Sequence, residues 1–339
     1  MKKYFLYLFI ISVLFSCRKE ISLDFPTVDE KLVVQGAIEP EFPPYIILTR
    51  NQGYFETIDN STYNNLFVSN AEIMVIKVNG NETVDSIELF QQIDTIPIYT
   101  NLSCPQDFSE EGYRYNLHIK WNNHIITSTT TIPYSTKLDS IWVEKTEDIN
   151  DKKFKCDIRA IYTDPDTLGN NILIRSKRTQ HYIRDTVSAF PADTIKSDVD
   201  PSLLLVDCGP DVLINGESFE TYFPRPSGEG GFPGGSYRGD HYKTYTDTTT
   251  AGKDSVFTPH DIVLLKFCQV DLASMKFWRG VVRNSTSGGN PFSEPMNLVS
   301  NINGGLGSWT GYGTKYYKIP IIEGTSILEE YSPSIFDIF

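Results

Sequence analysis

The chain has 339 residues and carries 43 Asp and Glu against 30 Lys and Arg, a formal net charge of −13. Phosphate recognition needs clustered Lys and Arg, and none is present, which argues against nucleic acid as a partner. Apolar residues make up 40% of the chain, enough for two cores of ordinary domain size.

The first segment, MKKYFLYLFIISVLFSC, sets Lys2 and Lys3 before an apolar run of about twelve residues, 4–15. A helix needs about 20 residues to cross a bilayer, so the run is too short to span and has the form of a secretory signal. Its end, Leu14-Phe15-Ser16-Cys17, resembles a bacterial lipobox, where the cysteine becomes the lipidated first residue after cleavage. Phe15 is bulkier than that motif usually carries. Residues 1–16 are expected to be a lipoprotein signal peptide, Cys17 the lipid attachment point and 17–29 the tether. Arg18-Lys19-Glu20 resembles the export signals of Gram-negative lipoproteins bound for the outer face of the outer membrane. The expected location is thus the outer membrane, held by acyl chains, on either its cell-surface or its periplasmic face. Without residues 1–16 there are 43 acids against 28 Lys and Arg, the surface of a body that avoids anionic lipid.

Residues 30–134 read as strand after strand. KLVVQGAI (31–38) and YIILTR (45–50) are β-branched runs bounded by Gly and Pro. In AEIMVIKVNGNETVDSIEL (71–89), Asn79-Gly80 marks a hairpin. A second hairpin follows in EEGYRYNLHIKWNNHIITSTTTIP (110–133). With Asn122-Asn123 as its turn, Tyr113, Tyr115, Leu117, Ile119 and Trp121 share the core face. His118 then faces Thr127 and His124 faces Trp121, so the two histidines point to opposite faces and cannot share a metal. About seven strands here predict a β-sandwich of immunoglobulin-like or transthyretin-like type.

A short connector after Pro133 predicts that a second domain, 137–322, packs against the first. KFKCDIRAIYTD (153–164), NILIRSKRTQHYIRD (171–185) and DIVLLKFCQVD (261–271) are its clearest strands, the last apolar enough for a sheet centre. The Gly- and Pro-rich stretch 225–239 reads as a surface loop. DLASMKFWRGVVRN (271–284) reads as a helix, with Asp271 as N-cap and Leu272, Met275, Trp278, Val281 and Val282 near one stripe. Gly280 weakens it, so packing must hold it. Residues 323–339 form a tail. The expected fold is mainly β, with two antiparallel sandwich-like domains and one short helix in the second.

DPSLLLVDCGPDVLING (200–216), the helix, and then NPFSEP…SNINGGLG (290–307) together resemble the bacterial lipoprotein family catalogued as domain of unknown function 4249. LVVQGAI, YIILTRN, AEIMVI, EGYRYNLHI and LDSI resemble that family's first half. The resemblance implies a β-rich, membrane-anchored protein whose gene often neighbours a TonB-dependent outer-membrane receptor. It carries over no catalytic or binding residue. Trp309 and Tyr312 stand where related aromatic residues are expected, and the 225–239 loop looks particular to this chain.

Reactive chemistry is hard to find. No GxSxG elbow, HExxH or CxxC spacing occurs, and none of the five histidines has a ligand's spacing, so neither catalytic residue, metal nor cofactor is expected. A hydrolase would need a carboxylate pair distant in sequence, which only the fold could reveal. Cys104, Cys156, Cys208 and Cys268 could form disulfides in an exported protein, in any of three pairings, whereas Cys156 and Cys268, inside apolar strand-like runs, read equally as small buried thiols. DPDTLGNN (164–171) clusters oxygen ligands as a calcium loop does, but it lacks EF-hand spacing, so a strand-connecting turn is expected. GGLGSWTGYG (304–313) does not have the dinucleotide spacing. Structurally, Gly304, Gly305 and Gly307 would take left-handed angles and bury Phe292 and Leu306. Functionally, Trp309, Tyr312, Tyr316 and Tyr317 would present a flat face to a sugar or partner. The expected function is a non-enzymatic lipoprotein accessory to a TonB-dependent transporter, through protein contact or by holding a ligand near its mouth, or a stand-alone carbohydrate-binding lipoprotein.

Overall fold

The structure is a computed structural model that describes residues 29–52, 65–92, 98–150, 153–183, 195–199, 203–224, 242–245, 261–287, 297–334 and 337. Residues 1–16, expected to be a signal peptide, Cys17, residues 225–239, expected to be a loop, and Phe292 lie outside the described residues.

The first half contributes β1 (Leu32–Ile38), β2 (Tyr45–Arg50), β3 (Glu72–Asn79), β4 (Glu82–Gln91), β5 (Ile98–Thr100), β6 (Arg114–Trp121) and β7 (His124–Thr131). Both predicted hairpins form. Gly80 closes β3–β4 with φ +59°, and Asn122 closes β6–β7 with φ +48°. Asn tolerates that left-handed geometry better than most side chains. The β6–β7 register sets His118 against Thr127 and Trp121 against His124, as the alternation requires. Tyr115, Leu117 and Ile119 are buried together with Leu32, Val34, Ile46, Leu48, Ile73 and Val75 in a two-layer core. β4 joins the layers, because Glu82–Leu89 pair with β3 while Phe90 and Gln91 pair with β5.

The second half adds β8 (Ser140–Asn150), β9 (Lys153–Thr163), β10 (Asn171–Ile183), β11 (Ile195–Val199), β12 (Leu204–Gly209), β13 (Ser218–Phe223), β14 (Tyr242–Tyr245) and β15 (Ile262–Val270). Helix α1 (Leu272–Ser287), β16 (Ile302–Asn303), β17 (Leu306–Pro320) and β18 (Ser326–Ile327) follow. β15 runs between β10 and β17, and eight of its nine residues are buried, as expected of a sheet centre. One face of β15 and β17 packs on the five-stranded sheet of β8, β9, β13, β14 and β18. Their other face packs on α1 through Met275, Val282 and Trp278. Leu272, placed on the apolar stripe by the sequence, is 53% exposed in the first turn.

The protein is mainly β with one described α-helix and sandwich-like layers, as the sequence implies, and its two halves are joined by a shared sheet. Among the described residues, 13 strands belong to one sheet that runs through both halves. β17 is the cause. Its first residues pair parallel to β1, from Val33↔Leu306 to Ile38↔Gly311. Its remainder pairs antiparallel to β15, from Val270↔Tyr312 to Ile262↔Pro320. The segment 302–311 thus completes the sandwich of the first half, although it lies within the stretch assigned to the second. Asp271 adds a second bond between the halves. Its Oδ1 caps α1 through Ser274 N at 2.8 Å, while its Oδ2 accepts from Thr130 Oγ1 at 2.7 Å and Thr131 N at 3.1 Å.

Candidate functional site

The four aromatic residues proposed as a binding face all lie on β17, and all are buried. Trp309 is 0% exposed, Tyr317 1%, Tyr312 3% and Tyr316 5%. Strand alternation divides them. Trp309 enters the first core and Tyr317 the second, whereas Tyr312 and Tyr316 point to the α1 side. They form no flat exposed platform, because all four are buried and they divide between opposite faces of the strand.

Local sequence explains how Trp309 fits. Gly36 lies opposite it, and a Cβ there would stand 2.6 Å from Trp309 Cε3. The indole Nε1 donates to the Tyr115 carbonyl at 3.1 Å, and the Asn301 carboxamide bonds both the N–H and the carbonyl of Trp309. Trp309→Phe should cost about 2 kcal/mol, from lost volume and an orphaned carbonyl. Urea unfolding measures it; an unchanged midpoint would show that the indole is not a core pillar.

The glycines differ in part from expectation. Gly304 and Gly307 take φ +82° and +101°, whereas Gly305 does not have positive φ. Gly305 is needed for space, since a Cβ would meet the Leu32 carbonyl at 2.8 Å. Leu306 is 38% exposed rather than buried.

The α1 side of the large sheet carries a buried polar belt that sequence reasoning missed. Arg175, Lys266 and Tyr316 are direct cross-strand neighbours on β10, β15 and β17. Lys266 Nζ pairs with Glu39 Oε2 at 2.7 Å, each side chain 5% exposed, and Tyr316 OH donates to the same oxygen at 2.9 Å. Lys266 Nζ also stands 4.4 Å from the Tyr312 ring centroid. Arg175 donates to the Leu203 carbonyl at 3.2 Å and lies 4.3 Å over the Trp278 ring. These contacts offset the repulsion of two adjacent cations. A lysine inside the apolar run IVLLKFCQV is the one sequence signal that could have exposed the belt, since a buried ammonium must find a carboxylate.

Burial pushes the Tyr312 and Tyr316 phenols far above their ordinary range and keeps them neutral. The cysteines are unpaired, one of the two readings that the sequence left open. All four are free thiols. Cys208 and Cys268 both flank Leu173, one on each neighbouring strand, which separates them by two strand spacings, about 9.6 Å. A disulfide reaches about 7 Å at most. Burial, the largest cause in each case, pushes the thiols up to about 11 for Cys104 and Cys268 and about 12 for Cys156 and Cys208. At neutral pH an alkylating reagent should therefore label Cys156, Cys208 and Cys268 only after denaturation. Rapid labelling of these three in native protein, read by mass spectrometry, would contradict this packing.

Among the described residues, no group of three or more His, Cys, Asp or Glu is arranged to hold a metal, and no helix is long and apolar enough to cross a membrane. The fold and this buried belt define a mainly β protein whose two sandwiches share one central strand. The chain belongs to the family described as domain of unknown function DUF4249, whose model matches residues 18–317. No curated protein matches it.

Proposed function

We propose that the protein is a non-enzymatic lipoprotein of the outer membrane, anchored through Cys17, that serves as an accessory to a TonB-dependent transporter by direct protein contact. The observation that carries this reading is the order of Lys2-Lys3, the apolar run and Leu14-Phe15-Ser16-Cys17. The interior supports the non-enzymatic part, since its thiols and phenols are held neutral by burial. The carbohydrate-binding alternative loses its motive, because Trp309, Tyr312, Tyr316 and Tyr317 have no exposed face for a sugar.

Metabolic labelling with a radioactive fatty acid tests the anchor: Cys17→Ala should abolish the label and release the protein from membranes. Affinity purification in mild detergent then tests the partner. Recovery of a TonB-dependent transporter is the expected result, and recovery of none, where other such complexes survive, would overturn the accessory role.

A further inference from the structure

The loop joining β9 to β10 meets the short 3-10 turn Asp211–Leu213, and the meeting point is rich in oxygen. Asp164 is 2% exposed and Asp211 3%, and no basic side chain pairs with either among the described residues. Tyr162 OH donates to Asp164 Oδ1 at 2.6 Å, while Gly169 N and Asn170 N donate to Asp211 Oδ2 at 2.6 and 3.2 Å. The second oxygen of Asp164 is fully enclosed and makes no well-formed hydrogen bond, although the Gly216 N–H also faces the carboxyl group. An enclosed bare carboxylate oxygen beside another buried carboxylate is unfavourable unless a cation or a proton joins it.

Asn170 lies between the two acids and cannot satisfy both. With its nitrogen 3.3 Å from Asp164 Oδ1, its oxygen faces only acceptors, Asp211 Oδ2 and the Thr167 carbonyl. Turned over, the nitrogen donates instead to Asp211 Oδ2 at 2.8 Å and to the Thr167 carbonyl. The amide thus donates to one acid or to the other, not to both. A second enclosed oxygen without a partner, Asn215 Oδ1, belongs to the same pair of loops, where Asn215 Nδ2 donates to Asp166 Oδ1 at 2.9 Å.

We propose that this cluster binds a calcium ion, with Asp164, Asp211, the Asn170 carboxamide and the Thr167 carbonyl as protein ligands. All four supply oxygen, the preference of a hard cation, and no thiolate or imidazole is present to favour zinc. Neutral carbonyl ligands on an irregular loop suit calcium, which accepts six to eight oxygens in flexible geometry, better than octahedral magnesium. Two carboxylates place the affinity with extracellular modules, at about 10⁻⁴ to 10⁻³ M. The site ties β9, β10 and the turn after β12 together, and it is independent of the lipoprotein reading.

The test uses the full mature chain, stripped with a chelator. Terbium should bind saturably and emit on tyrosine excitation, because Tyr162 bonds directly to Asp164. Calcium should displace it at millimolar concentration, and equal magnesium should not. Calcium at ten times its dissociation constant should raise Tm by roughly 3 °C. Asp164→Asn and Asp211→Asn should each weaken calcium at least tenfold. If either variant fails to fold, calorimetric titration of the wild type still decides. An unmoved Tm with no titration heat overturns the proposal, as do variants that bind like wild type. A proton in place of the ion would also overturn it. Burial holds the Asp164 carboxyl above its ordinary range, and the charge of Asp211 adds to this. Its contribution to stability would then be full below the unfolded pKa and lost as pH rises through the folded one, with no calcium dependence.

Discussion

Gly307→Ala is expected to leave little folded protein, with a loss of more than about 4 kcal/mol. Gly307 takes φ +101°, where side chains are strained whatever the space. Space is also absent, since a Cβ would stand 1.9 Å from the Val34 carbonyl oxygen and 2.9 Å from Val34 N. These are backbone atoms of β1, held in register from Val33↔Leu306 to Ile38↔Gly311, so relief requires the two strands to part. Gly324→Ala is the control. It has φ +77° with nothing within 4 Å, and should cost only about 1 kcal/mol. Denaturant unfolding compares the two, and a Gly307 variant as stable as the Gly324 one would refute the pairing of β1 with β17.

Lys266→Met should cost about 3–5 kcal/mol, because it strands the Glu39 carboxylate in the interior. Arg175 does not replace the lysine, being engaged by the Leu203 carbonyl and the Trp278 ring. Glu39→Gln added to Lys266→Met removes the stranded charge and keeps an acceptor for Tyr316, so the double variant should be more stable than the single. A double-mutant cycle by urea unfolding measures the coupling. Additive losses would mean that the 2.7 Å pair is not energetically joined.

Much of the local structure was legible because its causes are local. The Asn79-Gly80 and Asn122-Asn123 turns fix their hairpins, and alternation from Tyr113 to Trp121 identifies the buried face of β6. Asp271 before a helical stripe announces the N-cap that Ser274 uses. β17 was not legible. Its glycines resemble turn punctuation, yet Gly311 and Gly313 lie within a strand, where a Cβ would strike the carbonyls of Thr131 and Pro133 at 2.5 and 2.1 Å. They make room for another backbone, a role that depends on residues far away in sequence. The aromatic end of that segment was ambiguous for the same reason: Trp309 and Tyr312 fit either a surface or a core until β1 and α1 are placed around them. Lys266, Arg175 and Glu39 become one cluster only through the β10–β15–β17–β1 order, which no short pattern encodes.

The placement of β17 also orders events during synthesis. β1 is delivered near the start of the chain, but the partner for its second edge, Leu306–Gly311, arrives near the end. Through most of delivery that edge presents unpaired N–H and C=O groups, a template for wrong partners. The first sandwich therefore cannot mature as an independent early domain, and a chain cut short before β17 is left with an open, adhesive edge.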